Sequence, residues 1–295
     1  MKRLLLGALA ALLVLTGCGA QDPLEANREQ QRDSGALVVG SADFAESELL
    51  MHVYAEALRG TGAEVETRPR IGAREFYVNA ARSGELAVVP EYTGNLLQYL
   101  DPRATATEST QVTEALRAAL PPELEVLTPS PAENSDVLTV TPETAATGVR
   151  SMADLGPRCG DLVLGAPAEW KERWESVIAR EYGCTFREIR SVEAGTITVD
   201  ALLADQIQVA NLFTTSSQIA THGLVQLDDP KNMFPAQNVV PLVGSGRLSP
   251  EQTAVLDRVS AALTTEKLTD LNRRLEVDKA NPADVARDFL AEAGI

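Results

Sequence analysis

From Ala36 onward, short apolar runs alternate with longer stretches of 3.6-residue periodicity, an alternation that restricts the chain to an α/β fold with mainly parallel sheets. The runs that read as strands are "ALVVG", "AEVETR", "ELAVVP", "LEVLT", "DVLTVT", "LVLGAP", "FREIR", "QVANLF", "LVQLD" and "NVVPLV". In "ESELLMHVYAEALRG" the positions Leu50, Val53, Tyr54, Ala57 and Leu58 form one helical stripe, and Gly60 is its C-terminal stop. Asp43, with Glu46 three residues later, predicts a capping-box-like start. The tail predicts further helices over "SPEQTAVLDRVSAALTT", "EKLTDLNRRLE" and "NPADVARDFLAEAG", the first and last opening at Ser or Asn followed by Pro.

Parallel α/β sheets bind ligands beyond the carboxyl ends of their strands, where the next helices begin and their N–H groups point outward. Those ends carry a recurring pair of residue types. "LVVGSADFAES" ends on Ser41 and Phe44, "AVVPEYTGN" on Tyr92 and Thr93, "LVLGAPAEW" on Pro167 and Trp170, and "VANLFTTSS" on Phe213, Thr214 and Thr215. Tyr92-Thr93 and Phe213-Thr214 repeat one device in different halves of the chain, an aromatic at the strand tip and a hydroxyl at the helix start. Each aromatic alone could be packing under a loop and each threonine an N-cap. The chain is only 4% aromatic, however, so four aromatics at four such ends exceed what packing requires. The set suits a small ligand with an apolar or cationic part for the ring faces and a polar part for hydroxyls and N–H groups. Arg74 falls in the first turn of another helix, against the macrodipole; it is expected to hold an anion, bridge to the other half or point into water.

The first residues, "MKRLLLGALAALLVLTGCGA", read as an export signal: Lys2 and Arg3 precede an apolar stretch too short to span a bilayer. The order Leu15, Thr16, Gly17, Cys18 resembles the lipobox of bacterial lipoproteins, which implies a signal peptide over 1–17 and a lipid on Cys18. Residues 18–35 are expected to be the lipidated cysteine and a flexible tether, a coil of about 16 residues spanning roughly 20–25 Å. That places the protein on the extracytoplasmic face of the cell membrane, held by its acyl chains. Cys159 and Cys184 are neighbours in the sequence of an exported chain and are expected to pair, with a metal site as the weaker alternative, because His52 and His222 are not at ligand spacing to them. The net charge of −16 and the absence of a basic cluster after the first three residues argue against nucleic acid as a partner.

Taken together, "VVGSADFAESELL", "ARSGELAVVPEYTGNLLQYL", "LVLGAPAEW", "ITVDALLADQIQVANLFTTSSQI" and "NMFPAQNVVPLV" resemble the substrate-binding lipoproteins of ABC importers for glycine betaine, choline and related osmoprotectants. The resemblance runs from about residue 37 to 290 and is most specific around Pro90-Glu91-Tyr92-Thr93-Gly94. It implies a two-lobed periplasmic-binding-protein fold of type II, with two chain crossings and the ligand held between the lobes. Lobe one is expected over 36–136 and 236–295, lobe two over 137–235, with "NSDVLTVT" and "PAQNVVPLV" as the crossing strands. The ligand-binding set it implies is Ser41, Phe44, Arg74, Tyr92, Thr93, Asn134, Trp170, Phe213, Thr214, Thr215 and Gln237. Its implied partners are a small-molecule solute and the permease subunits in the membrane; the protein is expected to be a monomer and to need no cofactor or metal. Cages for quaternary ammonium groups in this family are rich in Tyr and Trp, whereas Phe44 and Phe213 stand at two of the expected positions. Phenylalanine is the weaker cation partner, so a neutral solute such as a polyol or a phenol stays open.

A hydrolase is the rival from a different class. The chain has no G-x-S-x-G elbow, no Walker A and no H-E-x-x-H, and Glu46 and Glu91, the carboxylates near the strand ends, have no nucleophile to serve. Glu46 is read as a capping residue and Glu91 as a hydrogen-bond partner at the lobe interface. A sensor that reports ligand occupancy to a membrane receptor needs the same closure and docking surface as a carrier and is not distinguished from one.

Overall fold

Val38, Val39, Val88, Val89, Val239 and Val240 are all buried, as expected for strands covered on both faces by helices. The structure is a computed structural model that describes residues 35–193 and 195–295. The expected signal peptide, Cys18 and all but the last residue of the tether lie outside the described residues.

In chain order the first elements are β1 (Leu37–Gly40), α1 (Ala45–Arg59), β2 (Val65–Arg68), α2 (Arg74–Arg82), β3 (Val88–Tyr92), α3 (Thr93–Leu100), α4 (Ser109–Ala119) and β4 (Leu124–Val126). The chain then crosses into β5 (Asp136–Val140), α5 (Pro142–Ala146), α6 (Met152–Leu155), a 3-10 turn at Gly156–Asp161, β6 (Val163–Ala166), α7 (Ala168–Tyr182), β7 (Glu188–Ser191), α8 (Thr196–Leu203), β8 (Val209–Phe213), α9 (Ser217–Thr221) and β9 (Val225–Gln226). It returns through β10 (Val239–Gly244) and ends in α10 (Pro250–Ala262), α11 (Thr265–Glu276) and α12 (Pro282–Ala293). All the strands expected from the sequence form, within a residue or three at their ends.

Two five-stranded sheets result, ordered β2-β1-β3-β10-β4 and β7-β6-β8-β5-β9. In the first, β1 runs parallel to β2 and β3, while β10 lies antiparallel between β3 and β4, with Val239 opposite Tyr92. The second repeats the plan: β6 is parallel to β7 and β8, and β5 is antiparallel to β8, with Asp136 opposite Phe213. In each lobe, then, the one antiparallel inner strand is the strand that arrives from the other lobe, and it leaves the tip of its neighbour beside the crossing. The crossings themselves pair, through a Glu133–Asn238 bridge and the Asn134 amide donating to the Gln237 carbonyl at 3.1 Å.

Tertiary packing alters two local expectations. Helix α1 is buried nearly all round, Leu49, Met51 and Ala55 included, because α10 and α12 cover the side that a surface helix would leave to water. The capping box does not form. Phe44 is the N-cap without a side-chain bond, Asp43 reaches Arg70 at 3.4 Å, and the Ser47 hydroxyl accepts the Ala42 amide at 3.0 Å instead. The tail helices start as the sequence predicts: Ser249 and Gln252 make a reciprocal cap ahead of Pro250, and Asn281 caps α12 ahead of Pro282.

In the second lobe, Gly183 ends α7 in the left-handed region (φ 63°), a conformation glycine adopts without steric cost, and this turn delivers Cys184 to Cys159. The two are disulfide-bonded with Cα atoms 5.3 Å apart and close a loop of sequence separation 25, a crosslink of roughly 3 kcal/mol in the chain-entropy model.

Candidate functional site

The tips of β1, β3 and β8 open onto a common cavity of about 490 Å³ between the two sheets. Phe44 enters it from the turn after β1, Tyr92 from the end of β3 and Phe213 from the end of β8. The Phe44 and Tyr92 ring centroids are 6.1 Å apart with their planes tilted by 32°. Phe44 and Phe213 are each 40% exposed, unlike the buried rings of the two cores, so their faces are available to a ligand. A larger hollow of about 770 Å³ lies between residues 216–226 and α11, but no aromatic ring of the described residues lines it.

Glu46 lies at the buried end of the cavity. Its Oε1 accepts the Tyr92 hydroxyl at 2.6 Å and Asn134 Nδ2 at 2.7 Å, and its Oε2 accepts Asn272 Nδ2 at 2.5 Å. All three donors are neutral, and no ion pair among the described residues includes Glu46. Burial, then the neighbouring Glu46 carboxylate, pushes the Tyr92 phenol well above its ordinary range, so its hydroxyl remains a donor at any physiological pH. The amide orientation of Asn134 follows from this network, since its oxygen could not face the carboxylate. That oxygen, Oδ1, is buried and has no hydrogen-bond partner among the described residues.

Arg74 lines the cavity but is already engaged. Its Nε and Nη2 donate to the two oxygens of Glu91 at 2.7 and 3.3 Å, and the Tyr77 hydroxyl and the Tyr92 amide donate to the same carboxylate, each at 2.9 Å. Burial alone would lower the guanidinium's pKa; the Glu91 charge outweighs it and the net shift is upward, so Arg74 is a permanent cation. It therefore bridges within its own lobe, not to the other half, and Glu91 serves Arg74 and Tyr77 beneath the cleft instead of the lobe interface.

Of the residues expected from the sequence, Phe44, Arg74, Tyr92, Asn134, Phe213 and Thr215 come together around the cavity. Five do not. Trp170 is buried in the second-lobe core, where Nε1 donates to Asn211 at 3.1 Å and the ring meets Phe186 edge-on. With Trp174 and Ile178 it forms the inward stripe of α7, a four-residue spacing already visible in "WKERWESVI". Ser41 is buried and accepts the Arg70 amide at 2.9 Å, and Gln237 accepts the Asn95 amide at 2.9 Å. Thr93 and Thr214 are used identically by the two lobes. Each hydroxyl donates to a carbonyl of a crossing segment, Ala236 or Glu133, and accepts an amide from one, Asn238 or Ser135, so both pin strand tips to the crossings.

Sequence reasoning missed Glu46 as a cavity group, and it missed Asn272 and Glu276, which α11 contributes. Asn272 also donates to the Thr215 carbonyl at 3.3 Å, and Glu276 accepts the Ser217 hydroxyl at 2.8 Å, so the tail helix touches the second lobe. One signal was available. Asn272 falls between Leu268, Leu271 and Leu275 on the apolar stripe of its helix, where a polar residue needs a buried partner.

The model of the OpuAC family, the substrate-binding domain of ABC-type glycine betaine transport systems, matches residues 35–292. The glycine betaine-binding protein YehZ of Escherichia coli (strain K12) is 29% identical over 274 residues, covering 87% of this chain and 90% of that protein. A glycine-betaine-binding protein of Pseudomonas aeruginosa is 27% identical over 275 residues, covering 87% of each. Among solved structures, a glycine betaine/carnitine/choline ABC transporter protein superposes with a TM-score of 0.80 at 21% identity, over 88% of this chain and 98% of that one.

Proposed function

The chain belongs to the family of substrate-binding domains of ABC-type glycine betaine transport systems, and from that premise we propose that it captures a quaternary ammonium osmoprotectant, glycine betaine, choline or a relative, between its lobes for delivery to a permease. The observation that carries this is the cavity itself, whose lining combines three rings from the two lobes with a buried carboxylate that has only neutral hydrogen-bond partners. A tetraalkylammonium group needs ring faces and a countercharge, with no hydrogen-bond partner for its nitrogen. The residues that line this space supply those elements. Closure between the lobes would bring Phe213 toward Phe44 and Tyr92 across the ligand.

Tyr92→Ala and Phe213→Ala should each weaken binding by about 1–3 kcal/mol, from lost ring area plus a cation–π contribution of roughly 0.5–2 kcal/mol. Calorimetric titration of the parent and both variants with choline, glycine betaine and a neutral polyol tests it. Binding of full strength by both variants places the site elsewhere, and a preference for the polyol assigns the cleft to a neutral solute.

The protein acts as a monomer, held on the extracytoplasmic face of the membrane by lipid on Cys18, which supports this placement by ending an apolar run at Leu-Thr-Gly-Cys ahead of a polar stretch. Cys18→Ser should move the protein from the membrane to the soluble fraction. A parent protein whose mass shows no lipid, with a variant that still sediments with membranes, excludes the anchor.

A further inference from the structure

Given the solute-binding function proposed above, on which this rests, we propose that the tail helix α11 is a strut between the lobes that sets the angle of the cleft and the position of Phe213, with Ser217, Asn272 and Glu276 as its positioning residues. α11 belongs to the first lobe, whose core takes Leu268 and Leu271. α9 belongs to the second, where Ile219 packs in one cluster with Leu212 of β8. The contact between these two helices is therefore a third attachment of one lobe to the other, made without a chain crossing.

The two crossings are paired with each other through Glu133 and Asn238, so they form one pivot and leave the lobes free to rotate about it. α11 begins at that pivot, where the Thr265 hydroxyl accepts the Glu133 amide at 3.1 Å. Asn272 and Glu276 follow about 10 and 16 Å along the helix, one turn apart and on the same face. Asn272 Nδ2 has two hydrogens and uses both, for Glu46 Oε2 at 2.5 Å and for the Thr215 carbonyl at 3.3 Å. Glu276 Oε2 accepts the Ser217 hydroxyl at 2.8 Å. The two interlobe bonds thus grip alternate residues of the segment that follows Phe213. Thr215 and Ser217 are 3% and 2% exposed, so water competes little for them while the helices touch. A rotation that parts α9 from α11 breaks both bonds and carries Phe213 away from Phe44 and Tyr92. Such a contact acts on the fraction of molecules in the binding-competent arrangement, and the apparent affinity of every ligand scales with that fraction alike.

Ser217→Ala is the direct test, because Ser217 is not among the residues that line the ligand cavity. In calorimetric titrations of the full-length protein with choline and with glycine betaine, the variant should weaken both by the same factor, about three- to tenfold, the scale of one hydrogen bond. Glu276→Ala should cost less in the Ser217→Ala background than in the parent, by that same factor. Losses that differ between the two solutes, or that simply multiply in the double variant, overturn the strut. A second measurement needs no ligand. With spin labels on Arg103→Cys and Leu203→Cys, exposed positions on the two lobes, the distance distribution should be narrow in the parent and broader in Ser217→Ala; equal distributions overturn the proposal. If Ser217→Ala does not fold, the same comparison with Glu276→Ala, an exposed residue, decides it. Label distances that broaden while neither solute binds the parent uphold the strut and defeat the function proposed above.

Discussion

Two carboxylates are buried beneath the cleft and are satisfied in opposite ways. Glu91 has a bidentate guanidinium, a phenol and a backbone amide, whereas Glu46 has one phenol and two carboxamides. The first is therefore a completed ion pair and the second a carboxylate held by neutral donors alone. Arg74→Ala tests the first half of that distinction, because it leaves the Glu91 carboxylate buried with no cation. The side chain of Glu91 has no exposed surface, so the loss should be about 3 kcal/mol of unfolding free energy, read by urea denaturation. A loss below about 1 kcal/mol would mean that Tyr77 and the Tyr92 amide suffice for Glu91.

At the next level up, the two lobes use one joint twice. A strand ends, a threonine follows, and its hydroxyl both donates to and accepts from the backbone of a crossing segment. In the first lobe this joint also dictates the residue after it. A Cβ on Gly94 would lie 2.6 Å from the Ala236 carbonyl oxygen, which is backbone of the returning crossing and cannot swing aside, so α3 starts in contact with the crossing only because that position is glycine. Gly94→Ala should cost about 1–3 kcal/mol by forcing the two segments apart. Gly160→Ala, where an added Cβ meets nothing within 4 Å, is the matched control and should be close to neutral. Thermal melts of both variants check it; equal melting temperatures would show that the crossing yields without cost.

For the molecule as a whole, the hinge region is where ionisation and stability meet. Burial pushes the Asp136 carboxyl above its ordinary range, opposed by the Asn211 amide at 2.9 Å and by Arg173, and burial raises Glu133 as well. An acid whose folded pKa is raised holds its proton more tightly when native. Its protonated form therefore favours folding, and that advantage is lost as pH rises from the unfolded value near 3.8 through the folded one; above that, the buried charge is a standing cost. Asp136→Asn keeps an acceptor for Asn211 and cannot ionise. The variant should melt higher than the parent at pH 7 and converge with it near pH 4, as followed by thermal denaturation across that range. A constant offset at every pH would show that the carboxyl does not titrate between these limits.

The elements were legible in the sequence because they depend on near neighbours: apolar runs for the strands, 3.6-residue stripes for the helices, Gly60 and Ser249-Pro250 for a stop and a start. The same holds for Phe44, Tyr92 and Phe213, since a ring at a strand tip is a property of a few adjacent residues. What the site is made of beneath those rings depends on residues far apart along the chain. Glu46 looks like a capping residue until Asn272, 226 positions away, donates to it, and Trp170 looks like a cleft residue until the stripe of α7 is seen to turn inward. Thr93 and Thr214 look like ligand donors until the crossings take their hydroxyls. In each case the side chain had two possible partners, one local and one distant, and a buried polar group goes to whichever neighbour the packed chain brings within hydrogen-bond reach, because leaving it unpaired costs more than any local preference.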